Sequence, residues 1–324
     1  MLDSQGETGI FKFNKSANLD KPTERLFTEA INKTTTDIPE QELPFDMERC
    51  RDRNSIIENH TQWVEQFLGI PVKNRVPQVE KKIKFYDKNT YEKINEREGN
   101  KRSCMGHSNF TTGEIKAVWL EDNKPQSLQI FGHELIHSLS KKIFRITGSG
   151  RNFSLITHSA GYENSHNGEL GYFNEILTEM MNVDALNYCR DRKWGDNLTG
   201  SAVGYHEGVI LFDMIFQKMA ELKKTDIWSI KKGLYKGYLD GDFSALRVFS
   251  DSLPKYIIDT MFGKGLFSLT LTDGNAFNLN LLARNAGINE QEYLDKLLKY
   301  SSGQEIELCS GVKLCQTAKT ANPK

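Results

Sequence analysis

Residues 127–146 read SLQIFGHELIHSLSKKIFRI, the stretch that most strongly determines the fold predicted for this chain. Its apolar residues recur at intervals of three and four, a spacing that places them on one face of an α-helix. Gly148 and Gly150 follow closely, and glycine is common just beyond the last turn of a helix. The pattern predicts a helix from about Ser127 to Ile146, with one side packed against a core.

The same stretch contains the pentapeptide HELIH, which matches the pattern HExxH. Residues four apart project from the same face of a helix, so ring nitrogens of His133 and His137 can bind one metal ion. Glu134 lies on the neighbouring stripe and can reach a water on the metal without binding the metal itself. The alternative is that both histidines are ordinary helix residues, one in the core and one at the surface.

A second segment, FNEILTEMMN at 173–182, supplies carboxylates suited to such a site. It lies in another predicted helix, residues 172–190. Zinc in hydrolytic sites usually has three protein ligands and keeps the fourth position for water, so Glu175 can be the third ligand. Glu179, one turn further along the same face, can accept the other ring N–H of a zinc-bound histidine. A solvated helix face is the alternative for two glutamates, but the rest of this helix is unusually apolar.

Together, HELIH and FNEILTEMMN resemble the gluzincin clan of metallopeptidases, the group of thermolysin, over residues 128–186. In that clan an HExxH helix is completed by an NExxxD or NExxxE helix. The resemblance implies a zinc centre in which each of these residues has a defined role: ligands His133, His137 and Glu175, general base Glu134, and supporting carboxylate Glu179.

The interval between His137 and Glu175 is longer than in thermolysin, which predicts an inserted loop. The residues between Gly148 and Gly171 are polar and glycine-rich. Such a loop is a candidate for a mobile cover over the cleft.

Peptide hydrolysis also needs a hydrogen-bond donor for the oxyanion that develops at the scissile carbonyl. The resemblance implies a tyrosine or histidine near the third ligand. Tyr205 is the first choice, because it opens an apolar helix shortly after the site, and His206 is the second. Tyr162, His158 and His166 are further candidates. For each, a packed aromatic ring or an exposed histidine is the competing interpretation.

Residues 113–121, GEIKAVWLE, follow the turn-like segment SNFTTG and predict a strand. The resemblance implies that this strand forms the sheet edge along which an extended peptide pairs through backbone hydrogen bonds. The expected substrate-binding residues are Ala117, Val118 and Trp119.

The chain divides into three predicted regions. Residues 1–45 are polar with little periodicity and predict a tail or extension, with a propeptide as the alternative. Residues 46–195 form the catalytic region, and residues 196–324 are almost wholly helical and are expected to close the cleft. This order predicts an α+β fold: a zincin-like catalytic domain with a small mixed sheet and an HExxH helix, followed by a mostly helical C-terminal half. Lysine pairs such as 231–232 are expected on solvated faces.

Composition argues against several other classes of protein. The 324 residues include 42 Lys or Arg and 43 Asp or Glu, so no charge excess favours nucleic acid or an anionic membrane as a partner. The N-terminus lacks a secretory signal, and the apolar runs are shorter than a bilayer span. We therefore expect a soluble protein without membrane insertion, either cytoplasmic or exported by a route that needs no recognisable signal.

The five scattered cysteines predict no disulfide framework, although Cys309 and Cys315 are close enough to pair in an oxidising compartment.

The sequence thus predicts a zinc-dependent endopeptidase with Zn²⁺ as cofactor and a peptide or protein as substrate. One alternative is a metalloprotease toxin or effector that attacks a single protein with the same chemistry. The other is a catalytically silent binding protein with a metallopeptidase fold, for which a degraded site would be the signature.

Overall fold

A computed structural model describes residues 7–8, 11–15, 42–43, 46–97, 104–109, 112–149, 152–164, 171–190, 205–246, 279 and 282–315. The helices are α1 (Met47–Trp63), α2 (Val76–Glu80), α3 (Lys88–Arg97), α4 (Lys124–Leu139), α5 (Gly171–Arg190), α6 (His206–Lys223), α7 (Ile227–Asp240) and α8 (Glu290–Ser301). A π-helical turn, Val64–Leu68, continues α1. The strands are β1 (Glu7–Thr8), β2 (Phe11–Lys15), β3 (Ile83–Tyr86), β4 (Gly106–Ser108), β5 (Ile115–Val118), β6 (Lys142–Ser149), β7 (Asn152–Ala160), β8 (Glu163–Asn164), β9 (Ile306–Glu307) and β10 (Lys313–Leu314).

The helix that carries HELIH, α4, is the centre of the fold. Asn123 caps its start by accepting a hydrogen bond from the backbone N–H of Gln126, and every residue from Ser127 to Leu139 is buried. The three-stranded sheet covers one side of α4, while α1 and α5 pack on other sides. A helix enclosed in this way buries its polar residues as well, so they need partners inside the protein.

The three-stranded sheet has the order β3-β5-β4, with β3 parallel and β4 antiparallel to β5. The prediction that residues 113–121 form a sheet edge is therefore wrong, because β5 is hydrogen-bonded on both sides. Among the described strands, β3 and β4 form the two edges of this sheet. The strand was predicted correctly, and the alternation in KKIKFYD predicts β3 as well, but which strands pair with β5 is not encoded in the local pattern.

The prediction that the helix runs to Ile146 is also wrong, since α4 ends at Leu139 and Ser140 is extended (φ −67°, ψ 146°). The buried Lys142 ammonium provides a reason for the stop. It donates hydrogen bonds of 2.6–3.1 Å to three carbonyl oxygens at the end of the helix, those of His137, Ser138 and Ser140. A cation in this position also interacts favourably with the helix dipole.

A second sheet contains two segments that the sequence assigned to other structures. Its order is β1-β2-β6-β7-β8, with β2 parallel to β6 and β6 antiparallel to β7. The predicted inserted loop is thus largely a hairpin, and its role as a cover stays a prediction. Residues 7–8 and 11–15, predicted to lie in a polar tail, form strands. The alternation in FKFNK was too short to stand out from its polar surroundings, and a partner strand stabilises it only in the folded chain.

The C-terminal half is helical where the structure describes it, apart from the antiparallel pair β9–β10. Within the region 196–324, for which the sequence predicts helices, the structure has α6, α7 and α8. Residues 267–273, whose sequence FSLTLTD favours a strand, lie outside the described residues. The architecture is mostly helical with a small mixed sheet, in agreement with the α+β class. No described helix has both the length and the apolar character needed to cross a bilayer, and Cys309 and Cys315 are free.

Candidate metal centre

The two HELIH histidines and Glu175 converge on one point between α4 and α5. His133 Nε2 lies 3.1 Å from His137 Nε2 and 3.0 Å from Glu175 Oε2, and His137 Nε2 lies 3.3 Å from the same carboxylate oxygen. Both histidines are buried and Glu175 is partly buried. Two helices that are separate in sequence thus contribute three atoms that could hold a metal ion to one cluster.

This donor set fits a zinc ion. Tetrahedral zinc binds imidazole nitrogen and carboxylate oxygen at about 2.0–2.2 Å, which places the ligand atoms a little over 3 Å from one another. The three observed separations agree with that arrangement. The remaining nitrogen of His133, Nδ1, lies 2.5 Å from Glu179 Oε2, so Glu179 has the supporting position that the sequence predicted.

The charges of the cluster are strongly coupled. Burial lowers the pKa of His133, but the hydrogen bonds and charges of Glu175 and Glu179 outweigh it and raise that pKa well above the usual value. Burial also lowers the pKa of His137, and Glu175 only partly offsets this effect. Burial acts to raise the pKa of Glu175, but the two histidines outweigh it and hold that pKa low. The two histidines therefore keep Glu175 in its carboxylate form.

Glu134 is buried between α4 and the edge strand β4. A Cβ atom added to Gly106 would lie 2.9 Å from Glu134 Cγ, so only glycine permits this approach of strand and helix. Burial raises the pKa of Glu134 to about 8, with Glu175 and Glu179 acting in the same direction, while His133 and the backbone N–H of Ser108 oppose the shift. A dication at the cluster would lower this pKa, because it stabilises the ionised carboxylate.

Of the two first candidates for the oxyanion donor, Tyr205 is the one that contacts the cluster. Its ring stacks on His133, with centroids 6.0 Å apart and an interplanar angle of 13°. Its backbone is left-handed (φ 30°), an unusual conformation for a residue other than glycine. His206 instead pairs with Glu207 at 3.2 Å and packs its ring on Tyr300, 4.7 Å between centroids.

The other predicted donors do not gain support. Tyr162 is fully buried and donates its hydroxyl to the carbonyl oxygen of Leu234 at 2.9 Å, as a packed structural residue does. The side chain of His158 and the whole of His166 lie outside the part of the chain that the structure describes.

The predicted substrate-binding residues Ala117, Val118 and Trp119 are all buried. Trp119 packs edge-on against Phe85, with ring centroids 5.2 Å apart. An extended peptide cannot pair with a central strand whose hydrogen-bonding groups already face neighbours on both sides. The prediction that these three residues bind substrate has therefore lost its premise, because it depended on β5 being an edge.

Sequence reasoning missed two features next to the cluster. One is β4, whose Gly106 contacts Glu134 and whose Ser108 hydroxyl lies 2.7 Å from the hydroxyl of Ser138 on α4. The segment GHS is too short to show a strand pattern. Its glycine, Gly106, was the only feature in the sequence that could have suggested a close approach to another element. The other is Tyr238, which contacts His137 from α7 and lies about a hundred residues away in sequence.

Comparison of the chain with protein-family models, curated proteins and solved structures found no match.

Proposed function

We propose that this protein is a zinc-dependent endopeptidase of the gluzincin type. The observation that carries the proposal is the convergence of His133 Nε2, His137 Nε2 and Glu175 Oε2 within 3.3 Å of one another. Glu134 lies on the same helix and Glu179 supports His133. This combination of three ligands, a buried carboxylate and a supporting carboxylate is the set that zinc-assisted hydrolysis requires.

Zinc bound at the three ligands would polarise the scissile carbonyl and lower the pKa of the attacking water. Glu134 accepts the proton of that water and later donates it to the leaving amine. The buried setting of Glu134 suits both steps, because it keeps the carboxyl close to its proton partners and away from bulk solvent.

Tyr205 and β4 complete the proposed site. The Tyr205 hydroxyl donates a hydrogen bond to the oxyanion, a role supported by the stacking of its ring on His133. The substrate backbone pairs with β4 rather than β5, since β4 is an edge strand and is the one whose Gly106 lies directly against Glu134. Main-chain pairing of this kind tolerates many side chains, which suits a peptide or protein substrate.

The completeness of the residue set favours catalysis over a silent binding protein. A toxin or effector with one protein substrate would use the same chemistry and would differ only in what it cleaves. Both are expected to bind zinc in the test that follows, and only the broad peptidase is expected to cleave the peptide library.

The test is cleavage of a peptide library by wild-type protein and by Glu134→Gln, with the zinc content of both measured. We expect Glu134→Gln to keep its zinc and to lose about 10²–10⁴-fold in cleavage rate, because only the proton acceptor is removed. Wild-type protein that binds zinc but cleaves no peptide would contradict the broad peptidase, and equal cleavage by both proteins would exclude Glu134 as the base.

A further inference from the structure

A buried tyrosine of α7 reaches the second histidine of the metal cluster. The hydroxyl oxygen of Tyr238 lies 2.9 Å from His137 Nδ1 and 2.7 Å from the hydroxyl oxygen of Thr178 on α5. Tyr238 and Thr178 are completely buried. Burial keeps bulk water from competing for these hydrogen bonds.

The direction of the chain follows from the group at its end. Thr178 donates its only hydroxyl proton to the carbonyl oxygen of Asn174 at 2.8 Å, since a carbonyl can only accept. With that proton used, the Tyr238 hydroxyl donates to Thr178 and its oxygen accepts from Nδ1–H of His137, which also lies 3.4 Å from the Thr178 hydroxyl oxygen. This direction assigns the proton of neutral His137 to Nδ1 and turns the lone pair of Nε2 towards His133 and Glu175.

The two histidines are thus held by different chemistry. His133 Nδ1 faces the carboxylate of Glu179, a charged partner from the ligand-bearing helix. His137 Nδ1 faces neutral hydroxyls, that of Tyr238 on α7 at 2.9 Å and that of Thr178 at 3.4 Å. Neutral support adds no further negative charge to a cluster that already contains Glu175 and Glu179 beside Glu134.

Reciprocal packing fixes the ring of Tyr238. A Cβ atom at Gly161 (φ 58°) would lie 2.6 Å from Tyr238 Cε2, and a Cβ atom at Gly237 would overlap the hydroxyl of Tyr162. Two Gly-Tyr dipeptides, 161–162 and 237–238, therefore pack against each other. Tyr238 lies over Gly161, and Tyr162 lies over Gly237. Because neither ring has room to shift, the Tyr238 hydroxyl stays at the distance that His137 requires.

We propose that Tyr238 is a positioning residue of the metal centre, which holds His137 in the metal-binding tautomer through the chain that ends at Asn174. This inference rests on the proposed metal site. Loss of a partner that orients a metal ligand typically weakens metal binding by about 10–100-fold, and we expect a change of that size when the Tyr238 hydroxyl is removed.

The experiment compares zinc affinities of wild-type protein, Tyr238→Phe and Tyr235→Phe by competition with a chromogenic chelator. Tyr235 is the matched control, because it is a fully buried tyrosine three residues away on α7 whose hydroxyl donates to Asp184 at 2.8 Å, away from the cluster. We expect Tyr238→Phe to bind zinc about 10–100-fold more weakly and Tyr235→Phe to match the wild type. Thermal unfolding of the metal-free proteins reports the general cost of each lost hydroxyl.

Thr178→Val provides a second test that does not alter the tyrosine. Without its acceptor, the Tyr238 hydroxyl is free to donate to His137 Nδ1, which would place the imidazole proton on Nε2 and block the metal-binding nitrogen. We expect this variant also to weaken zinc binding, and wild-type affinity in both Thr178→Val and Tyr238→Phe would overturn the inference.

The outcomes separate the two proposals. Equal weakening by Tyr238→Phe and Tyr235→Phe would reduce the effect to packing of α7 and overturn the inference while the metal site stands. A wild-type protein that binds no zinc would overturn the metal site and this inference with it.

Discussion

At the scale of single residues, the surroundings of two carboxyl groups in the site shift their pKa values in opposite directions. Glu175 lies between two histidines that hold its pKa low, whereas burial against β4 raises the pKa of Glu134 to about 8. Opposite shifts in neighbouring carboxyl groups allow one to bind a cation and another to exchange protons. The proposed roles of ligand and general base follow from these surroundings and not from the residue type.

The two rival oxyanion donors can be tested at the same scale. We expect Tyr205→Phe to lower kcat by about 10²–10³-fold with zinc content unchanged, because it removes one donor to the oxyanion. His206→Gln is the comparison, since His206 pairs with Glu207 and should leave kcat close to the wild-type value. A loss of kcat in His206→Gln alone would reverse this assignment.

At the scale of elements, a glycine allows α4 to approach its neighbours closely enough to bury the metal motif. A Cβ atom at Gly132 would collide with Asn182 Oδ1 of α5 and lie 2.9 Å from His60 Nε2 of α1. His60 and Asn182 are hydrogen-bonded to each other at 3.0 Å, so they have little freedom to move. The residue just before His133 thus sets the distance between α4 and two packed helices.

We expect Gly132→Ala to lower the free energy of unfolding by about 1–3 kcal/mol, because overpacking outweighs the gain in helix propensity. Gly233→Ala on α7 is the matched control, as nothing lies within 4 Å of its added Cβ atom. That variant should be more stable by about 0.5–1 kcal/mol. Urea denaturation of the metal-free proteins measures both, and a stabilised Gly132→Ala would contradict the close packing.

At the scale of the whole molecule, a buried charge network joins the C-terminal half to the ligand-bearing helix. Lys231 of α7 lies 2.9 Å from Asp184 of α5 and 3.6 Å from Asp213 of α6. Ser310, between β9 and β10, donates its hydroxyl to Asp213 at 2.7 Å. The prediction that both lysines of the pair 231–232 are solvated is wrong for Lys231, which is completely buried.

Removing the cation from this network should destabilise the whole protein. We expect Lys231→Met to lower the free energy of unfolding by about 3–5 kcal/mol, because two buried carboxylates lose their counter-ion. Lys232→Met, next to it on the exposed face of α7, should change stability by less than about 0.5 kcal/mol. Thermal or urea unfolding that shows equal, small effects would mean that the network contributes little.

The sequence predicted the local features of this protein better than its long-range pairings. The positions of α4 and α5 follow from helical periodicity, and the structure brings their three predicted ligands together. The strand β4, the end of α4 and the strands at residues 7–8 and 11–15 were not predicted, since each depends on a partner distant in sequence or on one buried side chain such as Lys142. Tyr238 escaped notice for the same reason, because a tyrosine in an apolar helix looks like any core aromatic.

The most direct test of the metal centre is the zinc content of purified protein after zinc loading and desalting, measured by elemental analysis. Wild-type protein should retain near-stoichiometric zinc, and so should the control Glu221→Ala, which removes an exposed glutamate of α6. Glu175→Ala should lose most of its zinc because a ligand is missing. Metal-free wild-type protein, or full zinc retention by Glu175→Ala, would contradict the assignment of His133, His137 and Glu175 as a zinc site.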